Sequence, residues 1–231
     1  MPELGVGLAP AVGGSPRWRT ITVVRHGETE WSQNGRHTSR TELALLELGR
    51  ERAAGLAAGL GGTPYGLVLI SPRRRAAETA ALAGFGAVGE VCPELAEWDY
   101  GDYEGLTTAE IRAEDPSWDL WRDGCPGGES PAAVGARADA IIARALAAPG
   151  NVLCFAHGHL LRVLAARWLE APVAFGRHLA LGPARPGVLG YERDNRVLAS
   201  WNCPPGAAEP ELGPVSPARD RAADDGGAPS S

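Results

Sequence analysis

The chain has 231 residues, 44% hydrophobic and 22% charged, and its 28 acidic and 22 basic side chains give a formal net charge of −6. That length supports one full core with tails, and the acidic balance argues against general nucleic-acid binding, which needs a basic face. Every basic residue is Arg, so a Schiff base or a Lys-dependent phosphate cradle is excluded.

Residues 1–17 are rich in Gly, Pro and Ala without a period, and are expected to be disordered. They lack the basic-then-apolar pattern of a leader. Residues 18–203 are expected to form the single domain. Residues 204–231 turn again to Pro, Gly, Ala and acidic side chains, including Asp224 and Asp225, and are expected to form a second disordered tail. No stretch approaches ~18 uninterrupted apolar residues, so no membrane span is expected. Cys92, Cys125, Cys154 and Cys203 form no CxxC pair, which fits a reducing, cytoplasmic setting.

Within the domain the pattern alternates. A strand over 20–24 breaks off at Arg25-His26-Gly27. A helix is expected inside 41–62, with Leu45, Leu48, Arg52 and Leu56 on one face. A strand over 67–70 ends at Ser71-Pro72, and a helix covers 74–83. A short strand follows at 88–91, then a helix over 107–114 that Pro116 stops. Ser130 is placed as an N-cap with Pro131 at the first helical position, opening a helix through 147. A buried strand over 152–156, a helix over 160–169 and a hairpin of 188–192 with 196–201 complete the domain. Alternating βα units predict an α/β three-layer sandwich, with a mostly parallel central sheet and helices on both faces.

Three of these strands end in residues suited to phosphate. The first delivers Arg25 and His26. The second delivers Ser71 and then Arg73, Arg74 and Arg75. The third ends Ala156-His157-Gly158-His159. In a parallel sheet such ends share one edge, where α/β proteins collect ligands. Arg presents a planar fork of donors to phosphate oxygens. Imidazole, with an ordinary pKa near ~6.5, is a nucleophile when neutral. Gly27 is expected to let backbone N–H groups approach an anion. The histidines lack helical ligand spacing and a completing carboxylate, so no metal site is expected.

The segment Arg25-His26-Gly27-Glu28-Thr29-Glu30-Trp31 resembles the signature of the histidine phosphatase (phosphoglycerate-mutase-like) superfamily. The resemblance runs from about residue 20 to 201. It continues through Ser71-Pro72 with Arg75-Ala76-Ala77-Glu78-Thr79-Ala80, then Glu97-Trp98-Asp99-Tyr100-Gly101 with Glu104-Gly105, and Ala156-His157-Gly158. It implies a phosphoglycerate-mutase-like fold with His26 as the nucleophile that becomes a phosphohistidine. Arg25, Arg75 and His157 would hold the phosphoryl oxygens, and Glu97 would protonate the leaving oxygen and then activate water. Clustered cations suit phosphoryl transfer, which is mostly positioning and charge stabilisation. No metal and no cofactor is implied.

The chain departs from the pattern at Ser32, where Asn is common, and at Ser39 after Thr38, where Gly is common. Ser32, Thr38 and Ser39 can still donate to phosphate and are expected to bind substrate, as is Tyr100. His159 either packs on the sheet or lines the substrate pocket. Leu46 stands where a hydroxyl residue usually caps the first long helix, which costs the cap ~1 kcal/mol. Arg74 is expected to be solvated. Trp31, Trp98, Trp118, Trp121, Trp168 and Trp201 are expected in the core or the pocket wall, and His37 and His178 have no assigned role.

Within the superfamily, the segments Trp121-Arg122-Asp123-Gly124-Cys125 and 156–162 look most like broad-specificity acid phosphatases and the sedoheptulose-bisphosphatase branch. The expected partner is a small phosphate ester, a sugar phosphate above all, hydrolysed by a phosphatase. A phosphoglycerate mutase is the alternative, set against the absence of Lys and the compact run from Glu97 to Pro131. A non-catalytic protein that binds phospholigands in a regulatory role is the second alternative. Homo-oligomerisation is left open by the sequence.

Overall fold

The computed structural model describes residues 19–208 and residue 210, so the expectations for 1–17 and for most of 204–231 fall outside the described residues. Six strands form one sheet: β1 (Ile21–Arg25), β2 (Tyr65–Ile70), β3 (Glu90–Val91), β4 (Asn151–Ala156), β5 (Pro186–Glu192) and β6 (Asn195–Ser200), in the order β3-β2-β4-β1-β5-β6. The pairs β2–β3, β2–β4 and β1–β4 are parallel, and β5 and β6 add an antiparallel edge. The described helices are α1 (Glu30–Asn34), α2 (Glu47–Leu60), α3 (Arg74–Leu82), α4 (Thr108–Glu114), α5 (Leu120–Asp123), α6 (Pro131–Ala147) and α7 (Gly158–Trp168). The α/β sandwich with a mostly parallel sheet is the architecture that the alternating pattern predicts.

Successive side chains on a strand point to opposite faces, and β4 shows the result. Val152, Cys154 and Ala156 enter a core shared with α6 and α7. Leu153 and Phe155 enter a second core with Leu56 and Leu60 of α2 and Ala80 of α3. All five are fully buried, as a strand covered on both faces requires.

Helix α2 begins later than the 41–62 pattern suggests and buries a different face. Leu45 is buried but precedes the helix, and Leu48 is 41% exposed. The buried positions are Gly49, Ala53, Leu56 and Leu60. The cause is a close backbone approach: a Cβ on Gly49 would stand 2.5 Å from the Glu28 carbonyl oxygen, and one on Gly27 would stand 2.5 Å from the Gly49 carbonyl oxygen. Gly27 therefore serves packing rather than anion binding, since its N–H donates to Thr79 Oγ1 at 3.0 Å. Leu46 caps α2 without a side-chain bond, as its residue type dictates. Ser130 does cap α6, accepting from the Ala133 N–H, with Pro131 at the first position. Ordered contacts continue past residue 203: the Pro205 and Ala207 region lies against Gly55 and Gly59 of α2.

Among the described residues, no helix is long and apolar enough to cross a membrane. All four cysteines are free.

Candidate active site

Sheet register assembles the site. Arg25 on β1 is level with Ala156 on β4, and Ile70 on β2 is level with Phe155. The hydrogen bonding runs one residue beyond each strand: the His26 N–H donates to the Ala156 carbonyl at 3.0 Å, and the Ser71 N–H to the Phe155 carbonyl at 2.9 Å. His26, Ser71 and His157 therefore leave the sheet side by side, and the rings of His26 and His157 have centroids 5.3 Å apart.

The His26 ring is buried, with Nδ1 2.7 Å from the Gly27 carbonyl oxygen. A carbonyl only accepts, so Nδ1 carries the hydrogen and the lone pair sits on Nε2. Burial pushes the His26 pKa well below its ordinary value, and the charges of Arg75 and Arg25 push it further down. A neutral imidazole with a free Nε2 lone pair faces a cavity of about 210 Å³.

Arg25 donates from Nη1 to the Leu181 carbonyl at 2.6 Å, and its Nε is buried without a protein partner. Its guanidinium passes over Gly158, where an added Cβ would come within 3.3 Å of the Arg25 guanidinium carbon. The first residue of α7 is thus kept bare by the arginine that crosses it. Arg75 is fully buried at the start of α3, with Nε again unpartnered. For both arginines burial lowers the pKa, while the charge of Glu97 raises it. His157 bonds Ser71 Oγ through Nε2 at 2.7 Å, and its Nδ1 is buried and unpartnered. Burial holds its pKa well below the ordinary range, with Arg75 adding to the effect. Buried polar atoms are nearly always paired. Arg25 Nε, Arg75 Nε and His157 Nδ1 are exceptions grouped around His26; Arg25 lines the cavity, whereas Arg75 and His157 lie behind its lining residues.

Arg75 is aimed by a loop that another residue holds. Its Nη1 donates to the Thr41 carbonyl, and its Nη2 to the carbonyls of Thr38 and Ser39, at 3.0 to 3.3 Å. The amides of Ser39, Arg40 and Thr41 all donate to the Glu104 carboxylate at 2.9 to 3.1 Å, and Ser39 Oγ joins them at 2.5 Å. Burial raises the Glu104 pKa, but the hydrogen bonds from Ser39 and Thr41 outweigh it, and the net shift is downward. A carboxylate thus grips the loop from its amide side while the guanidinium grips its carbonyl side.

Glu97 lines the cavity, and its carboxylate rests on the first turn of α7. Oε1 accepts from the Trp98 and Leu160 amides at 2.9 and 2.8 Å, and Oε2 accepts from the His159 amide at 3.1 Å.

The remaining candidates are placed unequally. Tyr100 and His159 both line the cavity and bond each other, with Tyr100 Oη 2.6 Å from His159 Nδ1. His159 therefore belongs to the pocket wall. Thr38 and Ser32 also line the cavity. The Ser32 hydroxyl donates to the Thr29 carbonyl and completes a capping box on α1. The Thr38 hydroxyl donates to the Arg36 carbonyl. Ser39 is buried away from the cavity, with its hydroxyl committed to Glu104. Trp31 is pocket wall, whereas Trp98 and Trp168 are core.

Several lining residues carried no assigned role in the sequence: His37, Arg36, Thr108, Arg162 and Leu181. His37 packs on Tyr100 with ring centroids 4.6 Å apart, and burial lowers its pKa to about 4. The alternation of strands and helices gives no signal for His37, which lies in an irregular loop. Leu181 acts through a backbone carbonyl, which side-chain identity does not encode. Arg162 lies four residues beyond Gly158 on α7, one helical turn on, and that spacing was the available signal.

Residues 21–204 match the family model described as the histidine phosphatase superfamily, branch 1. The chain is 46% identical over 183 residues to an acid phosphatase of Mycobacterium tuberculosis, covering 78% of this chain and 90% of that protein. It is 34% identical over 178 residues to a sedoheptulose 1,7-bisphosphatase of Saccharomyces cerevisiae, covering 63% of this chain and 66% of that protein. A solved Mycobacterium tuberculosis structure superposes with a TM-score of 0.77 at 44% identity, covering 80% of this chain and 98% of that one. Fold, family model and relatives agree, and the chain belongs to the histidine phosphatase superfamily.

Proposed function

We propose that this chain is a phosphatase that hydrolyses small phosphate monoesters, sugar phosphates in particular, through a phosphohistidine on His26. The observation that carries the proposal is the His26 Nδ1 bond to the Gly27 carbonyl, which leaves Nε2 as the nucleophile of a buried ring that feels the charges of both Arg75 and Arg25.

In this reading the reaction has two halves. Nε2 of neutral His26 attacks phosphorus, the bond from phosphorus to the ester oxygen breaks, and the leaving oxygen takes a proton from the Glu97 carboxyl group. The Glu97 carboxylate then takes a proton from water, whose oxygen attacks phosphorus. The P–N bond breaks, releasing inorganic phosphate and restoring neutral His26. Arg25, Arg75 and His157 hold the phosphoryl oxygens with the donors that lack a protein partner. Charge fixed in advance in a water-poor site stabilises such a transition state more than any other single effect.

The substrate class is supported by the rest of the cavity. Besides its arginines, the cavity is lined by neutral hydrogen-bonding groups on His37, Thr38, Tyr100, Thr108 and His159 and by the Trp31 ring. Hydroxyl groups beside an aromatic face suit a sugar. The cavity is smaller than the ~300–1,000 Å³ typical of drug-sized ligands, which fits a small ester. A relative named for a sugar bisphosphate points the same way. A cytoplasmic location belongs to the same reading, supported by the free cysteines.

The test is release of inorganic phosphate from sugar phosphates, phosphoglycerates and an aryl phosphate. Release from several esters supports the proposal. Interconversion of phosphoglycerate isomers with little free phosphate would make the chain a mutase instead. Phosphate binding without turnover on any ester would make it a binding protein.

A further inference from the structure

The loop over 179–185 leads into β5 and meets the end of β1, because Pro186 at the start of β5 is level with Val24. It takes hold of Arg25 and His26 in two ways. The Leu181 carbonyl accepts from Arg25 Nη1 at 2.6 Å. The Ala184 N–H donates to the carbonyls of Arg25 and His26 at 3.0 and 3.1 Å. Ala184 is fully buried and has a φ of 49°, a left-handed conformation that a Cβ disfavours. A backbone of that kind persists where its surroundings hold it.

The chain beyond β6 supplies the hold. Antiparallel pairing of β5 with β6 brings residues 201–203 back alongside the loop, and the Cys203 N–H donates to the Pro186 carbonyl at 2.9 Å. The Trp201 indole N–H donates to the Ala180 carbonyl at 2.7 Å, and Asn202 Oδ1 accepts from the Gly182 N–H at 2.8 Å. These bonds fall on the residues before and after Leu181, so the carbonyl that meets Arg25 is fixed from both flanks. The Trp201 ring lies over Gly187, where an added Cβ would stand 2.6 Å from Cε3. Asn202 has a φ of 56°, a left-handed turn that Asn enters more readily than most side chains. Neither Trp201 nor Asn202 is among the described residues that line the cavity.

We propose that Asn202, with Trp201 beside it, is a positioning residue for phosphoryl transfer, holding the 180–184 loop so that Leu181 fixes the Arg25 guanidinium. The inference rests on the phosphatase reading, which gives Arg25 to the phosphoryl oxygens. It ties the antiparallel edge of the sheet to the chemistry at the parallel strand ends. A guanidinium fixed in advance stabilises the charge that develops in transfer, and one that must be reordered at each turnover stabilises it less. The loss therefore falls on kcat more than on KM.

The experiment compares wild type, Asn202→Gly, Asn202→Asp and Trp201→Phe at a temperature where circular dichroism shows each to be folded. Gly and Asp both accept the left-handed turn. Asp keeps the acceptor for the Gly182 N–H and Gly removes it, while Phe keeps the ring of Trp201 without its N–H. Steady-state kinetics on an aryl phosphate gives kcat and KM, and calorimetry gives Kd for orthovanadate, whose five-coordinate adduct mimics the transferring group. A displacement of ~1 Å can cost ~100-fold, so a loosened Arg25 is expected to cost about tenfold. Asn202→Gly should lower kcat and weaken orthovanadate binding by that factor, with a smaller change in KM. Trp201→Phe should move both in the same direction by less, and Asn202→Asp should stay near wild type. If Asn202→Gly fails to fold, Trp201→Phe decides. A lowered melting temperature with kcat and orthovanadate binding at wild-type values overturns the inference and leaves the phosphatase reading intact. So does an equal loss of kcat in Asn202→Gly and Asn202→Asp. Absence of phosphate release from every ester by the wild type overturns both.

Discussion

Ser71 Oγ stands 2.7 Å from His157 Nε2, and the same hydroxyl accepts from the Arg73 N–H at 3.3 Å. The Arg73 amide can only donate, so of the two partners of this buried hydroxyl His157 Nε2 is the one that can accept its hydrogen, and Ser71 donates to it. Nε2 is then the acceptor and Nδ1 carries the proton, on the atom that lacks a protein partner. Ser71→Ala should release this tautomer. We expect kcat to fall about 10- to 100-fold, from ~1–3 kcal/mol of lost hydrogen bonding, with a smaller change in KM. Steady-state kinetics on an aryl phosphate measures the split. An unchanged kcat would show that the tautomer of His157 does not matter.

Glu104 reaches Arg75 through the backbone of residues 39–41. Glu104→Gln keeps the shape but removes the charge and one acceptor, so the loop amides lose part of their anchor. Stability is expected to fall by about 1–3 kcal/mol. KM for phosphate esters should rise, and inorganic phosphate should inhibit less well, because Arg75 loses its aim. Chemical denaturation and phosphate inhibition check the two effects. Loss of stability with unaltered phosphate inhibition would mark Glu104 as a purely structural anchor.

Four buried histidines tie folding to pH. His26, His37, His157 and His159 all have pKa values lowered first by burial. Unfolded, each takes up a proton as pH falls through about 6.5, whereas the folded protein does not. The unfolded state therefore binds more protons, and stability present above pH ~6.5 is lost below it. For His37, whose folded pKa is about 4, the loss at pH 5 is roughly 2 kcal/mol. The melting temperature should drop between pH 7 and pH 5, and inorganic phosphate should offset part of the drop. A flat profile would contradict the burial of these rings as neutral groups.

The positive charge that phosphoryl transfer needs is assigned to Arg25 and Arg75, which remain protonated at any working pH. Incubation with a chelator should leave the rate unchanged. A large loss restored by a divalent cation would refute this assignment.

The fold is legible where burial makes the pattern simple. β4, closed in by helices on both faces, reads as a continuous apolar run, and Ser130-Pro131 marks the start of α6 by capping alone. α2 departs from its leucine pattern because its contact with the Gly27–Glu28 backbone selects for small residues. Gly49 and Ala53 mark that face, and the leucines before them do not. At the site, the residues bearing cationic or nucleophilic side chains at strand ends are visible in the sequence: Arg25, His26, Arg75 and His157. Ser39 is not separable from Thr38 there, since both carry hydroxyls and only the fold turns one of them toward Glu104. The support of Arg75 is hidden for a similar reason: it runs through backbone amides and carbonyls, which every residue carries.

The central claim is that His26 carries the phosphoryl group between the two half-reactions. The direct measurement is acid-sparing rapid quench of the protein with a radiolabelled phosphate ester, followed by identification of the labelled residue. The account predicts an acid-labile, base-stable label on His26 that forms no more slowly than phosphate is released, and no label and almost no turnover in His26→Ala. Near-normal turnover in His26→Ala, or a label on another residue, would contradict it.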